Sequence, residues 1–360
     1  MRRLLLRSAL ALLGLLAGML IAEAGLRISG LDPIGRILAA PGSDQWNAEC
    51  FELDSELGYR YAPGDCGINA LGFPDSEVVP KTSMPRVLVL GDSISADRMY
   101  PDFLEQLLSA QQGEPVDVIN TGTPGYSTRN QLGVYQRHAE ALQPDLVLLQ
   151  FCLNDYIGTP FLFRHEGKIV RVIDRKNAMW ERSSWWFARS AIYRYFALHA
   201  DSQEQVAADL SAQFPNTESA LAELHAALGE RLVVVVFPLV EDLQRWPHGE
   251  RISYERILSV LQSSGIQHID LTEPFLRGGG ARLQRRYGPE LFADLPVAIQ
   301  DWGLAPEAAD FLQQQNPKLM KIDRLHSRDI DTVHPSFLGH YIAAERIAAF
   351  LAERPELLQQ

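Results

Sequence analysis

A doubly wound α/β fold, with a parallel sheet covered by helices on both faces, is what this 360-residue sequence predicts. Two observations carry the prediction. Short, β-branched apolar runs recur from Arg86 onward, and segments with helical spacing separate them. Strands buried on both faces read as continuous apolar runs rather than as alternation, and a regular strand–helix rhythm joins such strands in parallel.

Before the sheet comes an export element. Arg2, Arg3 and Arg7 precede an uncharged apolar stretch, Ser8 to Ala22, closed by Glu23. A basic start and an apolar run of about 15 residues suit a secretory signal, and Ala22-Glu23-Ala24 offers a small-x-small pattern for cleavage after Ala24. Counted from Leu4 the run reaches about 19 residues, long enough for an uncleaved single span if Arg7 snorkels. The anchor is preferred, because the Arg cluster does not suit a buried core helix. Either way, the positive-inside tendency puts the rest of the chain outside the cytoplasm. Beyond this element, Cys50 and Cys66 lie in a Gly/Pro-rich stretch. Joined in an oxidising compartment they would contribute about 3 kcal/mol through loop closure; two separate thiols are the alternative.

The strands then follow in order. Arg86 to Leu90, bounded by Pro85 and Gly91, is the first, and Phe103, Leu104, Leu107 and Leu108 have helical spacing behind it. Val116 to Ile119 is the second. Ser127 or Thr128 can cap a helix carrying Leu132, Tyr135, Ala139 and Leu142. Leu146 to Phe151 is the third strand, Arg231 to Phe237 the fourth and Gln267 to Leu271 the fifth, with a helix through Ile257, Leu258 and Leu261 before the last. An amphipathic helix from Phe337 to Leu351 closes the chain. Two interruptions break the rhythm. Tyr156 to Glu230 holds a hairpin pattern from Phe161 to Ile173 around Glu166-Gly167, then an aromatic-rich helix with Trp185, Trp186, Phe187, Tyr193, Tyr195 and Phe196. Those aromatics read first as a cap helix packed on the core and second as a lid or acyl-binding wall. The second interruption, Gly278 to Asp329, includes a helical pattern from Pro306 to Gln314.

Composition narrows the function. At 46% hydrophobic and 22% charged residues the chain is a globular protein, neither disordered nor a multi-span membrane protein. A net charge of −12 with no run of basic residues argues against nucleic-acid binding, which needs a clustered basic surface. No Cys-x-x-Cys or His-x-x-x-His spacing occurs, so a structural zinc site has little support.

The chemistry gathers at strand ends. Gly91-Asp92-Ser93 puts a hydroxyl directly after the first strand, at a turn into a helix, where backbone amides favour developing negative charge. Asp331 stands three residues before His334, just ahead of the closing helix. A carboxylate so placed can hold the imidazole tautomer that accepts a serine proton. After the second strand, Asn120 to Gly125 offers a glycine amide; after the third, Asn154 offers a carboxamide. Asp92 points differently from Ser93 and is a poorer triad acid than Asp331, Asp155 reads as a cap, and His138 and His340 read as helix-face residues.

Together, Gly91-Asp92-Ser93, Gly125, Asn154 and Asp331-x-x-His334 resemble the SGNH/GDSL hydrolase family, in its order and across Arg86 to Ala349 apart from the interruptions. The resemblance implies a flavodoxin-like three-layer α/β/α fold with a five-stranded parallel sheet. It implies Ser93 as nucleophile, His334 as base and Asp331 as its orienting partner, with Ser93 N–H, Gly125 N–H and the Asn154 side chain as oxyanion donors. Cys152 departs from the family, which often has glycine before the Asn. The stretch Leu57 to Pro63, followed by Ile68 to Phe73, looks like the leader of membrane-anchored bacterial members. The expected organisation is a signal or anchor at 1–24, a leader at 25–84 and a hydrolase domain at 85–355 with insertions at 156–230 and 278–329. The expected place is the bacterial envelope, anchored in the inner membrane and facing the periplasm, or secreted if cleaved. The expected activity is a serine esterase without metal or organic cofactor, acting on a small ester, a lipid or an acylated glycan. An O-acetyltransferase or deacetylase of envelope or exported polysaccharide uses the same acyl-enzyme and stays open. A silent glycan-binding scaffold is the third reading, against which the intact set of site residues speaks.

Overall fold

The computed structural model describes residues 2–32, 35, 50–64, 66–156, 159, 161–165, 168–172, 185–199, 203–239, 251–278, 284–286, 330–335 and 337–358. The described elements, in chain order, begin with α1 (Arg2–Ser29), the hairpin β1 (Phe51–Asp54) and β2 (Gly58–Tyr61), β3 (Arg86–Leu90), α2 (Ser93–Ala96), α3 (Met99–Gln112) and β4 (Asp117–Asn120). Then come α4 (Thr128–Leu142), β5 (Leu146–Cys152), β6 (Phe161–His165), β7 (Lys168–Val172), α5 (Trp185–Arg189), α6 (Ala191–His199) and α7 (Gln203–Leu228). The remainder are β8 (Leu232–Phe237), α8 (Arg251–Ser263), β9 (Gln267–Asp270), α9 (Thr272–Gly278), β10 (Gln284–Arg286), β11 (Ile330–Pro335) and α10 (Phe337–Ala352). By compactness the chain forms two units, one of Met1–Glu49 with Pro160–Asp209 and one of Cys50–Thr159 with Leu210–Gln360. The first unit holds α1 with β6, β7, α5 and α6, and the second holds the β1–β2 hairpin together with the large sheet.

In the larger unit the five apolar runs form one sheet of order β4-β3-β5-β8-β9, each adjacent pair parallel. Every residue of β3, β5 and β8 is buried, which is why these strands carry no alternation. The chain steps from β3 outward to β4, then returns past β3 to β5. Reversal of the winding direction there opens a crevice beyond the carboxyl ends of β3 and β5, the place where such sheets take ligands. At the opposite end of β3, the buried Arg86 side chain donates to Asp117 at 2.7 Å and to the Val79 and Leu142 carbonyls, tying three segments together.

The leader packs as part of this unit. Cys50 and Cys66 are joined by a disulfide with 5.7 Å between Cα atoms. Asp54 in the hairpin accepts from Nη1 and Nη2 of Arg137, at 2.8 and 3.0 Å, and Asn130 donates to the Leu57 carbonyl. Arg137 holds the Asp54 carboxyl well below the usual carboxylate range, over the opposing effect of partial burial.

In the smaller unit, α1 packs against α6. Glu23 accepts the backbone amides of Ala191 at 2.7 Å and Ile192 at 3.0 Å and the Ser190 hydroxyl at 3.0 Å, so a carboxylate of α1 caps the start of α6. Arg194 and Asp32 form a buried two-point ion pair at 2.8 and 2.6 Å. The hairpin pattern at Phe161 to Ile173 is β6 paired with β7, its Glu166-Gly167 turn lying outside the described residues. Of the aromatics behind it, Phe187 is buried whereas Trp185, Trp186 and Phe196 are exposed, so the indoles are not the packed face that the cap-helix reading requires. The Pro306 to Gln314 pattern lies outside the described residues.

Candidate active site

Ser93 is the first residue of α2, directly beyond β3, and is partly exposed among buried neighbours. The turn that presents it is held by polar groups aimed inward. Asp92, fully buried, is the helix N-cap and accepts the Ile94 amide at 2.9 Å. Gln150 on β5 reaches across to the same turn, its Oε1 accepting the Asp92 amide and the Ser95 hydroxyl, both at 2.9 Å. Gly91 is required by this approach, since a Cβ there would stand 2.0 Å from Ser95 Oγ and 2.6 Å from Gln150 Oε1. The Ser95 hydroxyl also meets Tyr100 Oη at 2.9 Å.

His334 comes to this point from β11, which pairs antiparallel with β10. Its Nε2 lies 2.7 Å from Ser93 Oγ, joining residues 241 positions apart. The backbone of Asp331 lies in the same strand, opposite Arg285; its side chain is outside the described residues.

The loop after β4 prolongs the parallel pairing past the strand end. The Thr121 amide donates to Val89 O at 3.0 Å and the Thr123 amide to Gly91 O at 3.1 Å. Asn120 Nδ2 donates to Ser95 O at 2.8 Å while its Oδ1 accepts the Gly122 amide. Gly125 then turns at φ +81°, a left-handed conformation that glycine adopts without strain. The leader clamps both neighbours of Gly125. Tyr59 Oη donates to the Pro124 carbonyl at 2.6 Å, Tyr126 Oη donates to the Tyr59 carbonyl, and the two rings meet edge-on at 5.3 Å.

Asn154 lies in a 3-10 turn, Leu153–Tyr156, beyond β5. Its Oδ1 is buried with no hydrogen bond among the described residues. Burial drives the Asp92 carboxyl upward, opposed by the Ile94 amide, the positive side of the His334 equilibrium, and the Gln150 and Asn154 side chains. Asp155 accepts the Thr128 hydroxyl at 2.6 Å at the start of α4, and burial followed by the nearby Asp92 pushes its carboxyl far up. His138 stacks edge-on with Phe73, and His340 is buried rather than on an open helix face, 3.9 Å from Asp97.

Ser93 and His334 therefore meet, with the Gly125 loop and Asn154 at neighbouring strand ends of the same crevice. Sequence reading missed Gln150, although a lone polar residue near the end of the apolar run Leu146 to Cys152 was the available signal. It also missed Tyr59 and Tyr126, whose contact spans the leader and the loop.

Among known families, the model of the GDSL-like lipase/acylhydrolase family matches residues 89–342. No curated protein sequence matches. Solved structures that resemble this one include a lipase/acylhydrolase from Enterococcus faecalis, at 16% identity over 75% of this chain and 97% of that chain, with a TM-score of 0.39. They also include an acetylxylan esterase from Geobacillus stearothermophilus, at 16% identity over 76% and 96% with a TM-score of 0.39. A further one is an alpha/beta hydrolase from the metagenome of Lake Arreo, at 15% identity over 76% and 95% with a TM-score of 0.39.

Proposed function

The chain belongs to the GDSL-like lipase/acylhydrolase family and is an acyl-ester hydrolase; from that premise we propose that it is a serine esterase whose triad is Ser93, His334 and Asp331. The single observation that carries the reading is the 2.7 Å contact between Ser93 Oγ and His334 Nε2, made across 241 residues. A hydroxyl is a weak nucleophile until a base takes its proton. His334 accepts that proton as Oγ bonds to the ester carbonyl carbon, and the carbonyl electron pair moves onto oxygen. The oxyanion is received by the amides of Ser93 and Gly125 and by the Asn154 carboxamide. Collapse breaks the bond to the alcohol, which leaves with the proton from His334. Water then repeats the sequence on the acyl-enzyme, releasing the acid and restoring Ser93. Asp331 holds the imidazole and balances its charge.

The body acts outside the cytoplasm, held by α1 as an uncleaved anchor. Residues Leu5–Ser29 are long and apolar enough to cross a membrane. The Glu23 contacts to α6 support retention, because cleavage after Ala24 would remove the carboxylate that caps that helix.

The test is Ser93→Ala assayed on p-nitrophenyl esters and acetylated glycans, following hydrolysis and acyl transfer together. Turnover falls by about 10³-fold or more while the unfolding midpoint is preserved. Normal turnover by a folded variant would falsify the mechanism.

A further inference from the structure

We propose that the exposed aromatic edge formed by Trp185, Trp186 and Phe196 lies in the headgroup region of a lipid bilayer, held at that depth by Glu23 of the anchor. The proposal rests on the anchor reading and adds a second, peripheral contact with the membrane. The two indoles are 58% and 59% exposed and Phe196 is 51% exposed, a concentration of large apolar side chains that water does not favour. They sit on α5 and α6, in the same compact unit as α1. Depth follows from helix geometry. At 1.5 Å per residue, Glu23 stands about 27 Å along α1 from Leu5, close to the roughly 30 Å of a bilayer's hydrocarbon core. Glu23 is thus at the outer boundary, and it is there that the start of α6 is fastened, through the Ala191 and Ile192 amides and Ser190.

Arg27, one turn farther out, bridges Glu23 at 2.8 Å and the Arg189 carbonyl at 2.5 Å, so the end of α5 is fixed at the same level. Trp185 and Trp186 are on that short helix. Amphipathic aromatic rings concentrate at the membrane boundary, where one side meets hydrocarbon and the other can reach water. The Arg189 guanidinium lies 4.9 Å from the Trp185 ring, offering a cation to lipid phosphates beside the ring. The same contacts account for an acidic residue at the end of an apolar span, since the carboxylate accepts from four residues of its own unit, Arg27, Ser190, Ala191 and Ile192, and need not face lipid unpaired.

The experiment uses the full chain reconstituted in phosphatidylcholine vesicles with bromine placed either shallow or deep in the acyl chains. Tryptophan emission is compared between wild type and Trp185→Ser/Trp186→Ser. The emission lost in the variant is expected to be blue-shifted and quenched more strongly by shallow than by deep bromine, with esterase turnover on soluble esters unchanged. If the protein resists alkaline carbonate extraction but this emission is untouched by either lipid, the anchor stands and the interface proposal is overturned. Protection from a soluble quencher without quenching by lipid would assign the edge to a protein partner and also overturn it. Stronger quenching by deep bromine would place the rings in the hydrocarbon and reject the stated depth. Extraction by carbonate, with a mass lacking the first residues, would overturn the anchor reading and this proposal together.

Discussion

Asn154, in the 3-10 turn beyond β5, is proposed as an oxyanion donor. In that role its carboxamide would meet an oxyanion that exists only in the transition state. Asn154→Ala should therefore lower kcat by about 10²–10³ with little change in KM, the pattern of a donor used after binding. An unchanged kcat with a raised KM would assign Asn154 to substrate binding instead. Asp331 is tested through its effect on another residue. A carboxylate beside His334 stabilises the imidazolium and selects the tautomer with Nε2 free to accept. Asp331→Asn should then reduce kcat by roughly 10²–10⁴-fold and move the midpoint of the remaining pH–rate profile downward, because the protonated base loses its favourable charge. Near-normal turnover with an unmoved profile would return Asp92 or Asp155 to consideration. Ser93 and His334 were legible in the sequence because each sits in a short signature at an element end. Gln150 was not, since its role depends on which strand lies beside β3, and only the sheet order supplies that.

The leader hairpin touches the loop that carries Gly125. Tyr59 is fully buried, and its hydroxyl ends on the carbonyl of Pro124, the residue before Gly125. Removing that hydroxyl strips a partly buried acceptor of its donor, at a cost of about 1 kcal/mol, next to the Gly125 amide. Tyr59→Phe should lower kcat several-fold more than it changes KM, as a misdirected oxyanion donor does. A loss of stability with kcat intact would show that the hairpin supports the fold without positioning the loop. The parallel elements were readable from strands, helices and caps because each is specified locally, by burial on two faces or by helical spacing. The attachment of the leader was less readable: Tyr59 and Pro124 are 65 residues apart, and neither segment announces the other. Likewise Glu23 and Ala191 are 168 residues apart, and nothing local in either segment announces the cap that joins them.

At the scale of the whole molecule, stability and pH are linked through carboxyls whose folded environments pull in opposite directions. Asp54 is lowered, chiefly by Arg137, so its contribution is present above the unfolded value of 3.8 and fades only in stronger acid. Asp75 behaves oppositely. Burial raises it from 3.8 to about 7, over the opposing pull of the Asn120 and Ser76 amides that it accepts. Between those two values the folded protein keeps a proton that the unfolded chain has released. Its stabilising contribution is therefore full below about 4 and is lost as pH rises through about 7. His138 works against this trend, because burial lowers its pKa and the unfolded chain takes up a proton first as pH falls below 6.5. A difference between two proteins separates the effects. Asp75→Asn keeps an oxygen that can accept the Asn120 amide but has no proton to exchange. Wild type and variant should have closely matched urea stabilities near pH 4, with the variant gaining by about 1–3 kcal/mol at pH 8. The His138 contribution is common to both and cancels. Parallel stability curves across that range would show that Asp75 is ionised in the folded protein throughout, held by the two amides rather than neutralised by burial.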